Sequence, residues 1–206
     1  MTQRAPEKPV VAAFDFDGTL TRRDSLFPFL LHVAGPLTFA IKFITLLPTL
    51  SLYALGFMRN DIAKSKVLQR FLANEDMASL QQQALEFAEK KLPLLQRSAA
   101  MQRLAWHKQQ GHRCVVVSAS LELYLRPWAL KAGINDILGS KLETVAGGLT
   151  SGKLLGENCF GAEKMRRLEA LLGPREGYTL YAYGDSRGDK ELLSAADFSF
   201  YNKFTE

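Results

Sequence analysis

The stretch Val10–Thr21, with the sequence VVAAFDFDGTLT, constrains the fold of this chain more than any other. An apolar run rich in β-forming residues ends abruptly in Asp15, Asp17 and Gly18. Such a run predicts a buried strand of a parallel sheet, and ligands of open α/β sheets bind at the carboxyl ends of the strands. Because alternate residues of a strand face the same side, we expect the two carboxylates to lie together, which requires a cation or a shared proton. An ordinary Asp-Gly turn is the alternative interpretation.

The composition narrows the class of protein. With 206 residues, of which 47% are hydrophobic and 23% charged, the chain has the size of one domain with a small insertion. A net charge of +5 suits an anionic substrate or an anionic membrane surface, but it does not indicate nucleic-acid binding. Cys114 and Cys159 show no zinc or disulfide pattern, and the short polar N-terminus is no signal peptide, so we expect a reducing, cytoplasmic setting. The three histidines have no partners at ligand spacing and are expected to be structural: His32, His107 and His112.

Strand-like and helix-like segments alternate in the second half of the chain and predict an α/β fold with a doubly wound parallel sheet. The predicted strands are Arg113–Ser120, Tyr178–Tyr183 and Phe198–Tyr201. The predicted helices between them are Arg97–Gln110, Leu121–Ala132 and Gly161–Leu172. The glycine-containing segment Ile137–Leu155 is expected to form an antiparallel hairpin or flap. We therefore assign residues 1–24 and 93–206 to the α/β core and residues 25–92 to an inserted helical cap.

Residues 26–58 of the cap are unusually apolar. Lys42 is the only charge between residues 33 and 57, and this length could span a bilayer. A single crossing would separate Asp15 from the later residues with which it has to work. The remaining alternatives are a helical hairpin bent at Pro48, a pair of helices in the plane of the membrane, and a buried cap. Four basic residues follow, and they fit either an anionic lipid surface or a solvated helix face: Arg59, Lys64, Lys66 and Arg70.

Three predicted strands end in polar residues that a parallel sheet would bring to one edge. The first ends in Asp15 and Asp17, the second in Ser118, and the third in Asp185 followed by Asp189. A chance distribution would scatter carboxylates through the loops. Considered alone, Ser118 could cap the following helix and Asp185 could be a turn residue.

Four motifs in this order resemble the haloacid dehalogenase superfamily, and specifically its magnesium-dependent phosphatases. They are DFDGTLT at residues 15–21, Ser118 after three valines, Lys164 in the sequence GAEK, and GDSRGD at residues 184–189. Lys164 alone would more often be a solvated helix lysine, but the coincidence of four motifs argues against that interpretation. The position of the insertion and the SAS sequence at 118–120 resemble the subfamily of the phosphoserine phosphatases.

The resemblance implies a role for each of these residues. Asp15 would attack phosphorus and form an aspartyl-phosphate, and Asp17 would act as the general acid and base. Lys164 would spread positive charge over Asp15 and the transferring group. Asp189 would either belong to the metal shell or position Lys164. Substrate and phosphate would contact Ser118, Ala119 and Asp24. Mg²⁺ would be bound by Asp15, Asp17 (through its backbone carbonyl), Asp185 and Asp189.

The resemblance leaves the substrate open. Asp24 stands where phosphoserine phosphatases carry a Glu, and Gly188 stands where they usually carry Asn. A cap for a small charged amino acid needs no apolar surface such as 26–58, which looks more like the related bacterial phosphatidylglycerophosphatases. We therefore expect a lipid phosphatase at the cytoplasmic face of the inner membrane. The alternatives are a soluble phosphatase for a phosphorylated small molecule such as phosphoserine, and a membrane-associated binding protein that has lost catalysis. The intact set of acidic and basic residues argues against the last.

Overall fold

The computed structural model describes residues 8–134 and 136–204, so most of the polar N-terminus lies outside the described residues. The strands are β1 (Val10–Phe14), β2 (Arg113–Leu121), β3 (Asp136–Ser140), β4 (Leu142–Thr144), β5 (Thr150–Leu154), β6 (Thr179–Gly184) and β7 (Phe198–Tyr201). The helices are α1 (Leu26–Ala34), α2 (Pro36–Ala54), α3 (Asn60–Leu72), α4 (Met77–Lys90), α5 (Leu92–Leu95), α6 (Ser98–Gln109), α7 (Glu122–Lys131), α8 (Ala162–Leu172) and α9 (Lys190–Ala195).

Five parallel strands form the central sheet in the order β3-β2-β1-β6-β7, which confirms the predicted doubly wound α/β fold. In β1, Phe14 pairs with Val116 on one side and with Tyr183 on the other, so β1 is the central strand. The carboxyl ends of β1, β2 and β6 therefore lie side by side. The active-site residues predicted at these ends are brought to one edge of the sheet.

Two hydrophobic clusters pack on the two faces of this sheet. Successive residues of β1 alternate between them: Ala12 and Phe14 belong to the larger cluster, and Val11 and Ala13 to the smaller one. This alternation follows from the period of two residues in a strand. Because both faces are covered, β1 is apolar throughout rather than alternately apolar and polar.

The prediction for Ile137–Leu155 is wrong in its first part. Residues 136–140 form β3, which pairs in parallel with β2 and extends the main sheet. The antiparallel pair is confined to β4 and β5. The short β3 contains Gly139, where an added Cβ would lie 2.6 Å from Cγ of Glu122 on α7. The glycine that weakened the strand pattern is thus required by the packing of α7.

Helices α1 to α4 lie between β1 and β2 in the chain, where the insertion was expected. The chain turns at Gly35, which has φ of 72° and precedes Pro36, whereas Pro48 lies inside α2. The predicted bend at Pro48 is therefore wrong. Gly35 adopts the left-handed conformation that separates α1 from α2, and Pro36 suits the first turn of the new helix.

Helix α2 has two apolar sides but buries little of either. Its inner side packs on α3, since the rings of Phe39 and Phe71 are 5.2 Å apart and Lys42 donates to the carbonyl of Phe71. Leu46 is its only buried residue. By length and composition α2 is the one helix among the described residues that could cross a membrane, with a mean hydropathy of 1.5. A cap core that buries the whole segment, one of the predicted alternatives, is wrong for α2.

The β4–β5 hairpin connects the inserted helices to the core. The backbone of Thr150 exchanges hydrogen bonds with that of Asn74 and Glu75, just after α3, at 2.8 and 2.9 Å. Gly152 lies so close to α3 that an added Cβ would be 2.6 Å from Cα of Gln69. This contact fixes α3 beside the carboxyl edge of the main sheet.

Candidate active site

A cavity of about 520 Å³ opens at the carboxyl edge of the sheet, between the core and the inserted helices. Asp15 directly follows β1, and its backbone N–H donates to the carbonyl of Tyr183 at 2.9 Å. This bond continues the pairing of β1 with β6 and fixes the position of Asp15. The cavity is lined by all the predicted site residues except Asp189: Asp15, Asp17, Asp24, Ser118, Ala119, Lys164 and Asp185.

Lys164 is buried and bridges two carboxylates. Its Nζ lies 2.6 Å from Oδ1 of Asp15 and 2.5 Å from Oδ1 of Asp189. Burial opposes the charged ammonium, but the two carboxylates hold the pKa of Lys164 above its ordinary value. The solvated-lysine interpretation of Lys164 is therefore wrong. Its charge compensates acidic groups from two separate strand ends.

Asp185 and Asp189 stand on the turn after β6. Oδ2 of Asp189 accepts hydrogen bonds from the backbone N–H of Asp185, and from the N–H and hydroxyl of Ser186 at 3.0 and 2.9 Å. Both oxygens of Asp189 thus have protein donors. The hydroxyl of Thr19 donates to Oδ1 of Asp185 at 3.1 Å, and Oδ2 of Asp185 faces Gly18.

The donors at this edge fit a hard divalent cation. One carboxylate oxygen from each of Asp15, Asp185 and Asp189 lies within 4.8 Å of the others. Gly18, at φ of 82°, leaves the space that Asp185 occupies, because a Cβ there would overlap the carboxylate. Mg²⁺ prefers carboxylate, carbonyl and water oxygens in this kind of arrangement. The residues present therefore suit the magnesium ion that the resemblance implies.

The carboxylate of Asp17 does not join this acidic group. The strand ends at Phe14 and a tight helical turn, Phe16–Leu20, follows, so the strand alternation that would have placed Asp17 beside Asp15 stops. Instead Oδ2 of Asp17 accepts from the Ser120 hydroxyl at 2.5 Å, and Oδ1 accepts from the N–H of Ser25 at 2.9 Å. Both carboxylates line the cavity, but the expectation that they lie together in one group is wrong.

The two acids at the end of β1 have raised pKa values. Burial raises the pKa of Asp15 to about 6, against the opposing charge of Lys164. Burial and then the charge of Asp24 raise the pKa of Asp17 to about 7, although hydrogen bonds from Ser120 and Ser25 favour its charged form. A carboxyl group whose pKa lies near neutral pH can both give and take a proton.

The three predicted substrate contacts have different surroundings. Ser118 is buried within β2, and its hydroxyl accepts from the N–H of Ser120 at 3.2 Å. Because α7 begins at Glu122, Ser118 is not a helix cap. Asp24 is exposed, and its Oδ1 accepts from the first N–H groups of α1 at 2.9 and 3.3 Å. It lines the cavity and also caps α1.

Lys64 also lines the cavity, although its sequence pattern did not single it out as a site residue. Its ammonium donates to the carbonyl of Ala119 and, at 2.8 Å, to Oδ1 of Asn158. Burial lowers the pKa of Lys64 to about 8. The helix therefore turns one member of the predicted basic group inward, beside the end of β2. Three other residues that were missed hold Asp17 or Asp185 through hydroxyl or backbone groups: Thr19, Ser25 and Ser120. The hydroxyl of Ser25 in turn donates to the hydroxyl of Tyr124 at 3.0 Å.

A parallel sheet with a buried acid–lysine cluster at its carboxyl edge defines a class of α/β hydrolytic enzymes. Residues 12–194 match the profile of the haloacid dehalogenase-like hydrolases, and the chain belongs to this family. The family expected from the four motifs is therefore confirmed. Its structural neighbours include phosphoserine phosphatases, which share its fold at 16% sequence identity.

Three relatives illustrate the range of similarity. Protein CicA of Caulobacter vibrioides is 35% identical over 204 residues, covering 99% of this chain and 90% of CicA. A protein of unknown function from Bordetella pertussis Tohama I superimposes with a TM-score of 0.76 at 24% identity, covering 91% of this chain and 87% of that one. A phosphoserine phosphatase crystallised as a phospho-aspartyl intermediate analogue has a TM-score of 0.64 at 16% identity, covering 95% and 87%.

Proposed function

We propose that this chain is a magnesium-dependent phosphomonoesterase that works through an aspartyl-phosphate on Asp15. The observation that carries the proposal is the pairing of Asp15 with the buried Lys164 beside the acidic group of Asp185 and Asp189. A carboxylate attacks a phosphate only where positive charge offsets their repulsion. Mg²⁺ would supply most of that charge, held by Asp15, Asp185 and the backbone carbonyl of Asp17.

In the first step Asp15 attacks phosphorus, the bond to the ester oxygen breaks, and Asp17 gives its proton to that oxygen. In the second step water attacks the aspartyl-phosphate, Asp17 takes up the proton, and Asp15 and inorganic phosphate are released. Asp17 is suited to both steps, because its pKa lies close to neutral pH. Ser118 and the backbone at Ala119 would bind phosphoryl oxygens.

We assign Asp189 the role of positioning Lys164 rather than that of a direct metal ligand. Its Oδ1 accepts from Lys164, and its Oδ2 accepts three hydrogen bonds from Asp185 and Ser186. A carboxylate with both oxygens engaged has little capacity left for a cation. Asp189 still supports the acidic group, because its Oδ2 accepts a hydrogen bond from the backbone N–H of Asp185 and so fixes the position of that residue.

Phosphate release from an aryl phosphate tests the reaction. We expect Mg²⁺-dependent release by the wild type and its complete loss in Asp15→Asn. Asp136→Asn is the matched control, since Asp136 pairs with Arg113 where β3 and β2 begin and lines neither cavity. Activity that survives in Asp15→Asn would rule out Asp15 as the nucleophile.

We further propose that the substrate is a lipid phosphate, met at the cytoplasmic membrane surface. Leu26, Phe27 and Leu50 give the active-site cavity an apolar wall on the side of α1 and α2. On the opposite side of α2, five residues form an exposed apolar outer stripe: Leu37, Ile41, Ile44, Leu52 and Leu55. An exposed apolar surface beside a site is a feature of proteins that bind a membrane. Because α2 packs lengthwise on α3, we propose contact in the plane of the membrane rather than a crossing.

Partition between liposomes and buffer tests membrane contact. Full burial of a leucine or isoleucine side chain is worth about 1.5–3 kcal/mol, so Leu37→Gln with Ile44→Gln should lower partition by at least about a hundredfold. Leu130→Gln is the control, because Leu130 is also exposed but lies on α7 of the core. Full recovery of the wild type in buffer would contradict the lipid proposal.

A soluble phosphatase for a small metabolite is the second candidate. It is favoured by the fold shared with phosphoserine phosphatases, which extends over 95% of the chain. A comparison of kcat/KM for phosphatidylglycerophosphate in liposomes and for phosphoserine separates the two candidates. A preference for phosphoserine would decide for the second.

A further inference from the structure

A second cavity, of about 1270 Å³, adjoins the active-site cavity. It lies between the α2–α3 connection, the end of β5 and the start of α8. Four residues line both cavities and mark where they meet: Tyr53, Asn60, Phe160 and Arg187. A substrate whose phosphate occupies the first cavity can therefore extend into the second.

Three of the six charged residues that line the second cavity already have partners. Arg59 pairs with Asp61 at 2.9 Å, and Glu163 is held by two arginines of α8 at 2.6 Å. In the described part of the chain, three charged residues of the lining make no side-chain hydrogen bond or ion pair: Lys153, Glu157 and Arg187. These three unpaired side chains carry two positive charges and one negative charge, so the net positive charge favours an anionic ligand.

Arg187 is the member of this trio that also lines the active site. Its backbone is fixed, because Gly188 lies against the ring of Phe160 without room for a Cβ and accepts from the N–H of Gly161 at 2.9 Å. Its side chain is exposed. A guanidinium on a rigid turn, two residues after Asp185, stands at the boundary between the phosphate site and the second cavity.

We propose that Arg187 binds a second anionic group of the substrate, so that the enzyme prefers phosphomonoesters that carry another oxyanion. The proposal rests on the proposed function. A guanidinium makes paired hydrogen bonds with a carboxylate or a phosphodiester, and both are oxyanions of the required kind. The carboxylate would come from a small metabolite and the phosphodiester from a lipid head group.

Three soluble probes test the proposal: glycerol 3-phosphate, which has a neutral remainder, 3-phosphoglycerate, which carries a carboxylate, and glycerophosphoglycerol phosphate, which carries a phosphodiester. We expect Arg187→Gln to lower the ratio of kcat/KM for one anionic probe to that for glycerol 3-phosphate by about tenfold, mainly through KM. Arg187→Lys should restore part of the ratio. The probe that responds identifies the source of the second anion.

Lys190→Gln is the matched control, since Lys190 is an exposed cation three residues away that lines neither cavity. The same ratio is measured as Kd in the Asp15→Asn background, where no turnover occurs. Unchanged ratios for both anionic probes in Arg187→Gln would overturn the proposal. If the wild type hydrolyses neither these probes nor the aryl phosphate, the proposed function fails, and the Kd ratios alone decide whether Arg187 binds the second anion.

Discussion

The hydroxyl of Ser120 donates a 2.5 Å hydrogen bond to Oδ2 of Asp17, across 103 residues of sequence. This bond favours the charged carboxylate and so opposes burial, which raises the pKa of Asp17 to about 7. A general acid works in its protonated form, so activity falls as pH rises through its pKa. Ser120→Ala removes the bond and raises the pKa of Asp17 further. We therefore expect the alkaline limb of the kcat/KM profile to move upward by about one pH unit.

The control for this experiment is Ser199→Ala, because Ser199 is an exposed serine on β7 at the edge of the sheet. It should keep the wild-type profile. An alkaline limb that stays in place or moves to lower pH in Ser120→Ala would show that Asp17 does not depend on this bond.

Gly18→Ala should disrupt the acidic cluster. At φ of 82° an added Cβ would overlap the carboxylate of Asp185, so Asp185 has to move. We expect Mg²⁺ affinity to fall by about tenfold or more, with a parallel loss of phosphate release. Gly35→Ala, at φ of 72° with nothing within 4 Å, imposes similar backbone strain without the overlap. Calorimetric titration with Mg²⁺ compares the two variants. Equal losses of Mg²⁺ affinity in Gly18→Ala and Gly35→Ala would contradict a metal site that includes Asp185.

Asp185→Asn and Asp189→Asn should have different effects. In the described part of the chain, no backbone N–H or serine or threonine hydroxyl donates to Oδ2 of Asp185, whereas both oxygens of Asp189 are engaged by Lys164, Ser186 and the backbone. We expect Asp185→Asn to weaken Mg²⁺ binding more. Asp189→Asn should mainly lower stability, by about 3 kcal/mol, because Lys164 loses one of its two buried partners. Mg²⁺ titration and urea unfolding of both variants measure this contrast, and a reversed order would make Asp189 the better metal ligand.

The sheet could be predicted from the sequence because buried parallel strands are almost continuously apolar. The carboxyl-end rule then placed Asp15, Ser118 and Asp185 at one edge. Strand β3 escaped prediction because it has five residues, includes Gly139, and is followed at once by a glycine-containing hairpin. Its assignment depends on tertiary packing against α7, which a local pattern does not contain.

The residues around Asp17 could not be predicted for a related reason. Ser25 and Ser120 reach Asp17 only because the turn Phe16–Leu20 redirects its carboxylate away from Asp15. Similarly, the helical pattern of α3 gives its basic residues no preferred direction. Lys64 faces the active site because the β4–β5 hairpin packs on α3 and fixes the orientation of that helix.

His107 lies outside the active site and makes stability depend on pH. It is fully buried, with Nε2 2.8 Å from the hydroxyl of Tyr183 and Nδ1 2.7 Å from Nδ1 of His112. Burial, and then the charge of Arg103, lower the pKa of His107 from 6.5 to about 3. Below pH 6.5 the unfolded chain therefore binds a proton that the folded chain does not, and stability falls as pH falls, by about 1.4 kcal/mol per unit. From pH 7 to pH 5 this group should cost the wild type about 2 kcal/mol of unfolding free energy. In His107→Gln, the unfolding free energy measured with urea should fall by about 2 kcal/mol less than in the wild type between pH 7 and pH 5. An equal pH dependence of the unfolding free energy in the two proteins would show that His107 titrates normally in the fold.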